Sequence, residues 1–147
     1  MEGISLIGDK LLIKKIDKLI ALGGKRAQVR AAFNRASKPL KTAARNNAKR
    51  NKSSGTLWRS IKMIASKRNK TLFWIGPATG RKQRFDGWYG YFIERGTKLR
   101  KTKAGASRGK IEAKSKYMER AYNSTKGKVR LNMIAEINKL IKRIAHA

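Results

Sequence analysis

The hydrophobic period of this chain changes in its middle third, and that change constrains the fold more than any other feature. Between Ser60 and Pro77, apolar residues first recur at every second position from Ile61 to Ala65, and a β-branched and aromatic run follows at residues 71–75. The dipeptide Asn69-Lys70 separates the two runs, and Gly76-Pro77 ends the second. Because a period of two is typical of strands, these runs predict an antiparallel β-hairpin.

The N-terminal third instead has the three- and four-residue apolar spacing of amphipathic helices. A first helix is predicted from about residue 5 to 22, and it ends at Gly23-Gly24 because glycine commonly follows a helix end. A second helical stretch is predicted from Lys25 to Arg50. Pro39 lies inside it and predicts a kink or a restart, since proline cannot donate a backbone hydrogen bond. Ser37 is placed to cap the restarted half.

The C-terminal half predicts two more helices, at about 112–123 and 126–145. Residues 88–94 are short and aromatic, which predicts either a helical turn or a strand. Residues 78–87 form a basic loop, and a second basic loop at about 98–111 has no periodicity and is expected to be mobile. A length of 147 residues favours one domain. The predicted fold is therefore a single α+β domain, a small antiparallel β-sheet packed by N-terminal and C-terminal amphipathic helices.

The charge of the chain indicates an anionic partner. It has 38 Lys and Arg against 8 Asp and Glu, a formal net charge of +30 at pH 7. A hydrophobic fraction of 40% excludes a wholly disordered basic protein. A positive field of this size attracts phosphate polymers or acidic protein surfaces. Two partners therefore stay open, double-stranded DNA bound without sequence preference and acidic subunits of an assembly.

Two basic segments are the candidates for contact with DNA or with an acidic partner. One is a stripe along the second predicted helix, where cations repeat at three- and four-residue steps with no acid among them. The other is the second basic loop. A solvated helix face gives the same pattern as a binding stripe, so both interpretations of the stripe stand. The candidate residues are Arg35, Lys38, Lys41, Arg45, Lys49 and Lys52 in the stripe, and Lys98, Arg100, Lys101, Lys103, Arg108 and Lys110 in the loop.

The residue types give little support for catalysis. The chain has no cysteine, and its single histidine, His146, is the penultimate residue, so the usual pairs of nucleophile and base cannot form. Asp86 with Glu112-Ala113-Lys114 faintly resembles the Asp and Glu-x-Lys pattern of metal-dependent nucleases, which need clustered carboxylates. A Glu-x-Lys tripeptide is expected by chance in so lysine-rich a chain, and Glu112 falls on a predicted helix rather than a strand.

A second motif is rejected on its spacing. Residues 105–110 are one residue short of a Walker phosphate-binding loop, and Ile111 replaces the magnesium-binding hydroxyl residue. The sequence therefore predicts no enzyme, cofactor, metal or small-molecule substrate. No apolar run approaches the roughly 18–20 residues that span a membrane, and the start lacks the basic segment of a secretory signal. We expect no membrane partner and synthesis in the cytoplasm.

The tryptophans allow two interpretations. Trp58, Trp74 and Trp88 are candidates for stacking on exposed bases, but each lies inside an apolar cluster, which favours core positions. We expect Trp58 and Trp74 to be mostly buried. Glu94 is expected to form a structural ion pair or hydrogen bonds to nearby backbone amides. Gly96 is expected to have a positive φ, because glycine alone enters that region freely.

Three motifs, in this order along the chain, resemble those of the head–tail joining or tail-completion family, the small neck proteins of tailed bacteriophages. They are a Gly-x-Leu-x-x-Ser-Ile segment, a hairpin ending in Gly-Pro, and a Tyr-…-Glu-x-Gly-Thr segment. The order of elements is also similar from about residue 5 to 145. The matching residues are Gly55, Leu57, Ser60, Ile61, Gly76, Pro77, Tyr91, Glu94, Gly96 and Thr97.

The resemblance implies a structural virion protein at the head–tail junction. Such a subunit would join a closed ring of six or twelve copies that lines or seals the DNA passage, next to portal-adaptor, neck or tail proteins. Neighbouring subunits would bury an aromatic patch formed by Trp88, Tyr89, Tyr91 and Phe92, since heterologous contacts that close generate a ring. The alternative from the residues alone is a basic nucleic-acid-binding protein of ribosomal or nucleoid type.

Overall fold

The computed structural model describes residues 26–50, 55–66, 72–113 and 115–146, with Lys14, Lys15, Lys18, Ala21 and Arg68. The elements in chain order are α1 (Arg26–Ala36), α2 (Lys38–Lys49), α3 (Thr56–Ser60), β1 (Ile61–Ala65), β2 (Phe73–Pro77), α4 (Gly90–Arg95) and α5 (Tyr117–Ala145). Strands β1 and β2 pair in an antiparallel sheet, which confirms the predicted hairpin. The fold is α+β, with helices from both ends of the chain packed with the sheet, as predicted.

The predicted first helix lies mostly outside the described residues. Lys14, Lys15, Lys18 and Ala21 are helical, and the Lys15 ammonium donates to the Asn138 side chain at 2.9 Å. The rest of that helix, Gly23-Gly24 and the Asn69-Lys70 turn are not among the described positions.

The second predicted helix is two helices, with the restart at Lys38. Pro39 is the second residue of α2, where a missing N–H is tolerated because first-turn N–H groups lack intrahelical partners. The Ser37 hydroxyl was expected to cap α2, but it donates back to the Asn34 carbonyl at 3.4 Å. Its side chain is buried, and its backbone links the two helices, since the Ser37 N–H donates to the Phe33 carbonyl at 2.9 Å and the Ser37 carbonyl accepts the Lys41 N–H at 3.1 Å.

The two predicted C-terminal helices are one continuous helix, α5. The expected break between residues 123 and 126 is absent, and the Ser124 hydroxyl donates to the Ala121 carbonyl at 3.1 Å within the helix. Residues 112, 113, 115 and 116 precede α5 and are not helical, so the predicted start at Glu112 is wrong. There the Ser115 N–H donates to the Ile93 carbonyl at 3.3 Å, which holds the segment against the end of α4.

The chain divides into two compact units, within residues 1–41, 63–75 and 125–147 and within residues 42–62 and 76–124. We call the second the motif unit. In the first, Val29 and Ala32 of α1 pack with Ile137 and Leu140 of α5. In the motif unit, the fully buried side chains include Leu57, Ile61 and Tyr117. The prediction of one domain stays a prediction.

Candidate functional site

All the residues that carry the resemblance fall in the motif unit. The first motif forms α3. Gly55 precedes α3 with φ 77°, and Leu57 and Ile61 are fully buried on either side of Ser60. The Ser60 hydroxyl donates to the Leu57 carbonyl at 2.7 Å, and the Ser60 carbonyl accepts the Ala78 N–H at 2.9 Å. The motif therefore turns the chain into β1 and joins it to the residue after β2.

Two glycines that the sequence analysis did not single out pack against this motif. A Cβ on Gly87 would lie 2.1 Å from the Ser60 hydroxyl and 2.6 Å from Pro77 Cβ. A Cβ on Gly90 would lie 2.7 Å from Leu57 Cδ1 and 2.8 Å from the Tyr117 hydroxyl. Only glycine permits these approaches without rearrangement. Pro77 thus has a packing role, whereas a Cβ on Gly76 would meet nothing within 4 Å.

The last motif joins α4 to the start of α5. The Glu94 carboxylate accepts the backbone N–H groups of Met118 and Glu119, both at 3.0 Å. These N–H groups lie in the first turn of α5, where they have no intrahelical partner and the helix dipole favours an anion. Of the two expectations for Glu94, the structure shows hydrogen bonds to backbone amides. Burial, with the Glu94 and Tyr89 side chains nearby, raises the pKa of Tyr117 above its ordinary value.

Gly96 and Thr97 fix the chain as it leaves α4. Gly96 has φ 70°, which confirms its predicted conformation, and a Cβ there would lie 2.5 Å from the Ile111 carbonyl oxygen. The Thr97 N–H donates to the Ile111 carbonyl at 2.8 Å, and the Thr97 hydroxyl accepts the Ile111 N–H at 3.0 Å. Residues 97 and 111 are therefore paired at the base of the second basic loop.

That loop is a hairpin, which we call the basic hairpin (residues 97–111). Lys101 and Ser107 form an antiparallel bridge, and the Arg108 N–H donates to the Arg100 carbonyl at 2.7 Å. The predicted contact residues Lys98, Arg100, Lys101, Lys103, Arg108 and Lys110 are all exposed. Lys110 pairs with Glu112 at 3.0 Å. The expected mobility of the loop stays a prediction.

Most of the aromatic segment, from Gly90 onward, lies in α4, so the predicted helical turn is found and the alternative strand is not. Trp88 is 61% exposed and Tyr91 is 53% exposed, so the core interpretation is wrong for Trp88. Phe92 is half-buried and meets the Trp88 ring edge-on at 6.0 Å. Tyr89 turns its hydroxyl into the protein. We call Trp88, Tyr91 and Phe92 the aromatic face.

The predicted basic stripe is not one free surface. Arg35 pairs with Glu136 at 2.6 Å, which lowers the pKa of Glu136, and Arg45 donates to the Ile61 carbonyl at 3.0 Å. Lys41 donates to the Asn34 side chain at 3.2 Å, and the Lys49 ammonium lies 4.6 Å from the centre of the Trp58 ring. Lys38 is exposed, and Lys52 lies outside the described residues. Several of these cations therefore have structural partners.

The remaining two tryptophans are mostly buried, as predicted. Trp58 and Trp74 keep most of their surface away from solvent, although neither is fully buried. The carboxylates of the nuclease-like pattern are also engaged elsewhere. Asp86 accepts the Trp88 N–H at 3.1 Å, and Glu112 pairs with Lys110. Lys114 of that pattern is not described.

No protein family, curated protein or solved structure matches the chain. Over the described ranges, no group of three or more His, Cys, Asp or Glu side chains is arranged to hold a metal ion. No helix in the same part of the chain combines the length and the apolar character needed to cross a bilayer.

Proposed function

We propose that this protein is a structural subunit of the neck of a tailed bacteriophage, which forms a closed ring at the head–tail junction through which DNA passes. The observation that carries the proposal is the aromatic face. Trp88 and Tyr91 are exposed there, although the contacts of the resemblance motifs hold α4 at both ends.

The exposure of this face supports a protein partner. Soluble monomers rarely leave large apolar side chains grouped on their surface, and Trp and Tyr are enriched among the residues that dominate binding energy at interfaces. Trp88 lies two residues before α4 and Tyr91 lies within it, and both rings contact Phe92 edge-on. A neighbouring subunit that covered them would bury two of the large apolar side chains that the motif unit leaves exposed.

The motif contacts explain how this face is presented. Gly90 lets α4 approach Leu57 and Tyr117, and Glu94 ties its end to the first turn of α5. A face whose helix is fixed before association loses less conformational entropy on binding than a mobile one. The motifs therefore support assembly, and no step of catalysis is assigned to them.

The basic hairpin supplies the second surface that such a ring needs. Its cations project from the chain directly after the aromatic helix, toward DNA or toward an acidic neighbour. The same exposed hairpin favours the alternative function, a nucleic-acid-binding protein of ribosomal or nucleoid type. The two proposals differ in whether the chain closes into a ring.

Assembly of the purified chain tests this difference. Native mass spectrometry and negative-stain electron microscopy, over a range of protein concentrations, should show a cyclic oligomer of six or twelve copies. The double variant Trp88→Ser/Tyr91→Ser should shift the population to monomer. The control Leu131→Ser removes an apolar side chain that is 69% exposed on α5 and should leave the ring intact.

Two outcomes would contradict the neck proposal. A wild-type chain that stays monomeric at all concentrations, with and without DNA, favours the nucleic-acid-binding alternative. Rings that survive the double variant would place the subunit contact elsewhere. A gene neighbourhood that encodes a portal or a tail-tube protein would support the proposal independently, as would detection of the chain in purified virions.

A further inference from the structure

Two half-buried aromatic rings of the motif unit are covered by cations. Around Trp58, the Lys49 ammonium lies 4.6 Å from the ring centre and the Arg59 guanidinium 5.1 Å. Around Phe85, the distances are 5.3 Å to Arg59 and 5.5 Å to Arg84. Arg59 therefore lies over both rings. We call these five residues the cation–ring cluster.

The cluster is assembled from separate segments. Lys49 is the last residue of α2, Trp58 and Arg59 lie in α3, and Arg84 and Phe85 lie in the loop that follows β2. The three cations are exposed, while both rings are half-buried. Lys49 lies over a ring of another segment, Arg84 over the ring of its chain neighbour, and Arg59 over one ring of each kind. The charges of all three are at the surface.

The positive charge of the cluster is not neutralised by the described residues. Within the part of the chain that the structure covers, Lys49, Arg59 and Arg84 form no ion pair with a carboxylate. The acids of the motif unit are engaged elsewhere. Glu94 binds backbone amides, Asp86 binds the Trp88 N–H, Glu112 pairs with Lys110 and Glu119 pairs with Lys116.

We infer that the cation–ring cluster binds the phosphate backbone of double-stranded DNA. Base stacking, as in single-strand binding proteins, uses an open aromatic face. Here cations lie over both rings, which favours contact with phosphates. A guanidinium above a ring keeps its N–H donors in its own plane, where they can bind phosphate oxygens in pairs. The inference deepens the proposed function, on which it rests for the choice of duplex DNA.

The experiment measures binding of the full chain to a fluorescent duplex of mixed sequence by anisotropy, at several salt concentrations. The cluster variant is Lys49→Gln/Arg59→Gln/Arg84→Gln. The control Lys126→Gln/Lys128→Gln/Arg143→Gln removes the same charge from exposed positions of α5. The slope of log affinity against log salt should fall in magnitude by about 2.7 in the cluster variant, at roughly 0.9 per phosphate contact. The control should change it by less than about one.

A second variant separates charge from folding. Arg59→Lys/Arg84→Lys keeps the positive charge and should keep most of the slope. If all three variants bind as the wild type does, or if the cluster and control variants lose the same slope, the inference is wrong. Tighter binding to oligo(dT) than to duplex, with quenching of tryptophan fluorescence, would also overturn it in favour of stacking.

Native mass spectrometry of the same samples distinguishes this inference from the neck proposal. A cluster variant that assembles like the wild type but loses the slope supports the inference. If the wild type forms rings but the cluster variant keeps the wild-type slope, the inference about the cluster is wrong and the neck proposal is unaffected. If the cluster variant loses the slope but the wild type never forms rings, the result supports DNA binding by the cluster and contradicts the neck proposal.

Discussion

The Glu94 carboxylate accepts the Met118 backbone N–H at 3.0 Å, and this hydrogen bond joins the end of α4 to the start of α5. The whole basic hairpin lies between the two residues in the chain. One side chain therefore caps a long helix, closes the segment that contains the hairpin and fixes the helix of the aromatic face. The Glu of the Glu-x-Gly-Thr motif has a structural role here, and so do its neighbours Gly96 and Thr97.

Removal of this cap should destabilise the protein. Glu94→Ala leaves first-turn N–H groups of α5 without their acceptor and should lower the free energy of unfolding by about 1–2 kcal/mol. Urea denaturation followed by circular dichroism measures the change. Glu112→Ala is the control, because Glu112 is exposed and pairs with the exposed Lys110, so its loss should change the free energy of unfolding by less than about 1 kcal/mol. Equal effects of the two substitutions would contradict the capping role.

Gly90 and Gly96 of the motif unit should not tolerate a methyl group. Gly90→Ala places a Cβ 2.7 Å from Leu57 Cδ1, and Gly96→Ala adds a Cβ at a positive φ beside the Ile111 carbonyl. Each should destabilise by about 1–3 kcal/mol through overpacking or backbone strain. Gly127→Ala is the matched control, for which we expect a change in stability of the opposite sign. Its Cβ would meet nothing within 4 Å inside α5, so it should stabilise by about 0.5–1 kcal/mol.

The thermal midpoints of these three variants provide the measurement. The predicted order is Gly127→Ala above the wild type, and both other variants below it. A Gly96→Ala protein as stable as the wild type would show that the chain can rearrange around residue 96, against the role assigned to that turn.

Low pH should reduce the free energy of unfolding in part because it protonates Glu136. The Arg35 hydrogen bond holds the pKa of Glu136 below its ordinary value. A group whose pKa is lower in the folded state stabilises the fold above its unfolded pKa, and this contribution is lost as the pH falls through the folded value. Arg35 is partly exposed, so the pair should contribute less than about 1 kcal/mol. Arg35→Gln should therefore lower stability at pH 7 but not at pH 2, as measured by urea denaturation at both pH values. A loss of equal size at both would contradict the linkage.

Local patterns predicted much of this fold. Alternation from Ile61 to Ala65 predicted the hairpin, and the glycine after the aromatic segment predicted the positive φ of Gly96. The missed features depend on contacts between distant segments. The need for glycine at 87 and 90 arises from Ser60, Leu57 and Tyr117, which local spacing cannot reveal.

The candidate site was harder to predict for the same reason. An aromatic cluster in sequence does not state which of its faces the fold covers, so Trp88 stayed open between a core position and a subunit interface. Backbone pairing across the basic hairpin has no hydrophobic period, and a loop was predicted.

The basic hairpin should contribute to sequence-independent DNA binding. Its tip is held by backbone hydrogen bonds and by the Thr102 hydroxyl, which accepts the Ala106 N–H at 3.1 Å. Replacement of Arg100, Lys101 and Lys103 by glutamine should therefore leave the hairpin folded. If each cation contacts one phosphate, the slope of log affinity against log salt should become shallower by up to about three.

Salt-dependent anisotropy with a mixed-sequence duplex measures this slope, and the triple glutamine variant of α5 again serves as the control. An unchanged slope would show that the hairpin does not bind DNA, and it would indicate an acidic protein partner in its place. In that case the variant should still fold and form rings, because neither the aromatic face nor the Glu94 cap is altered. Heads assembled with it should then fail to join tails and should lose their packaged DNA, since the contact that seals the passage would be missing.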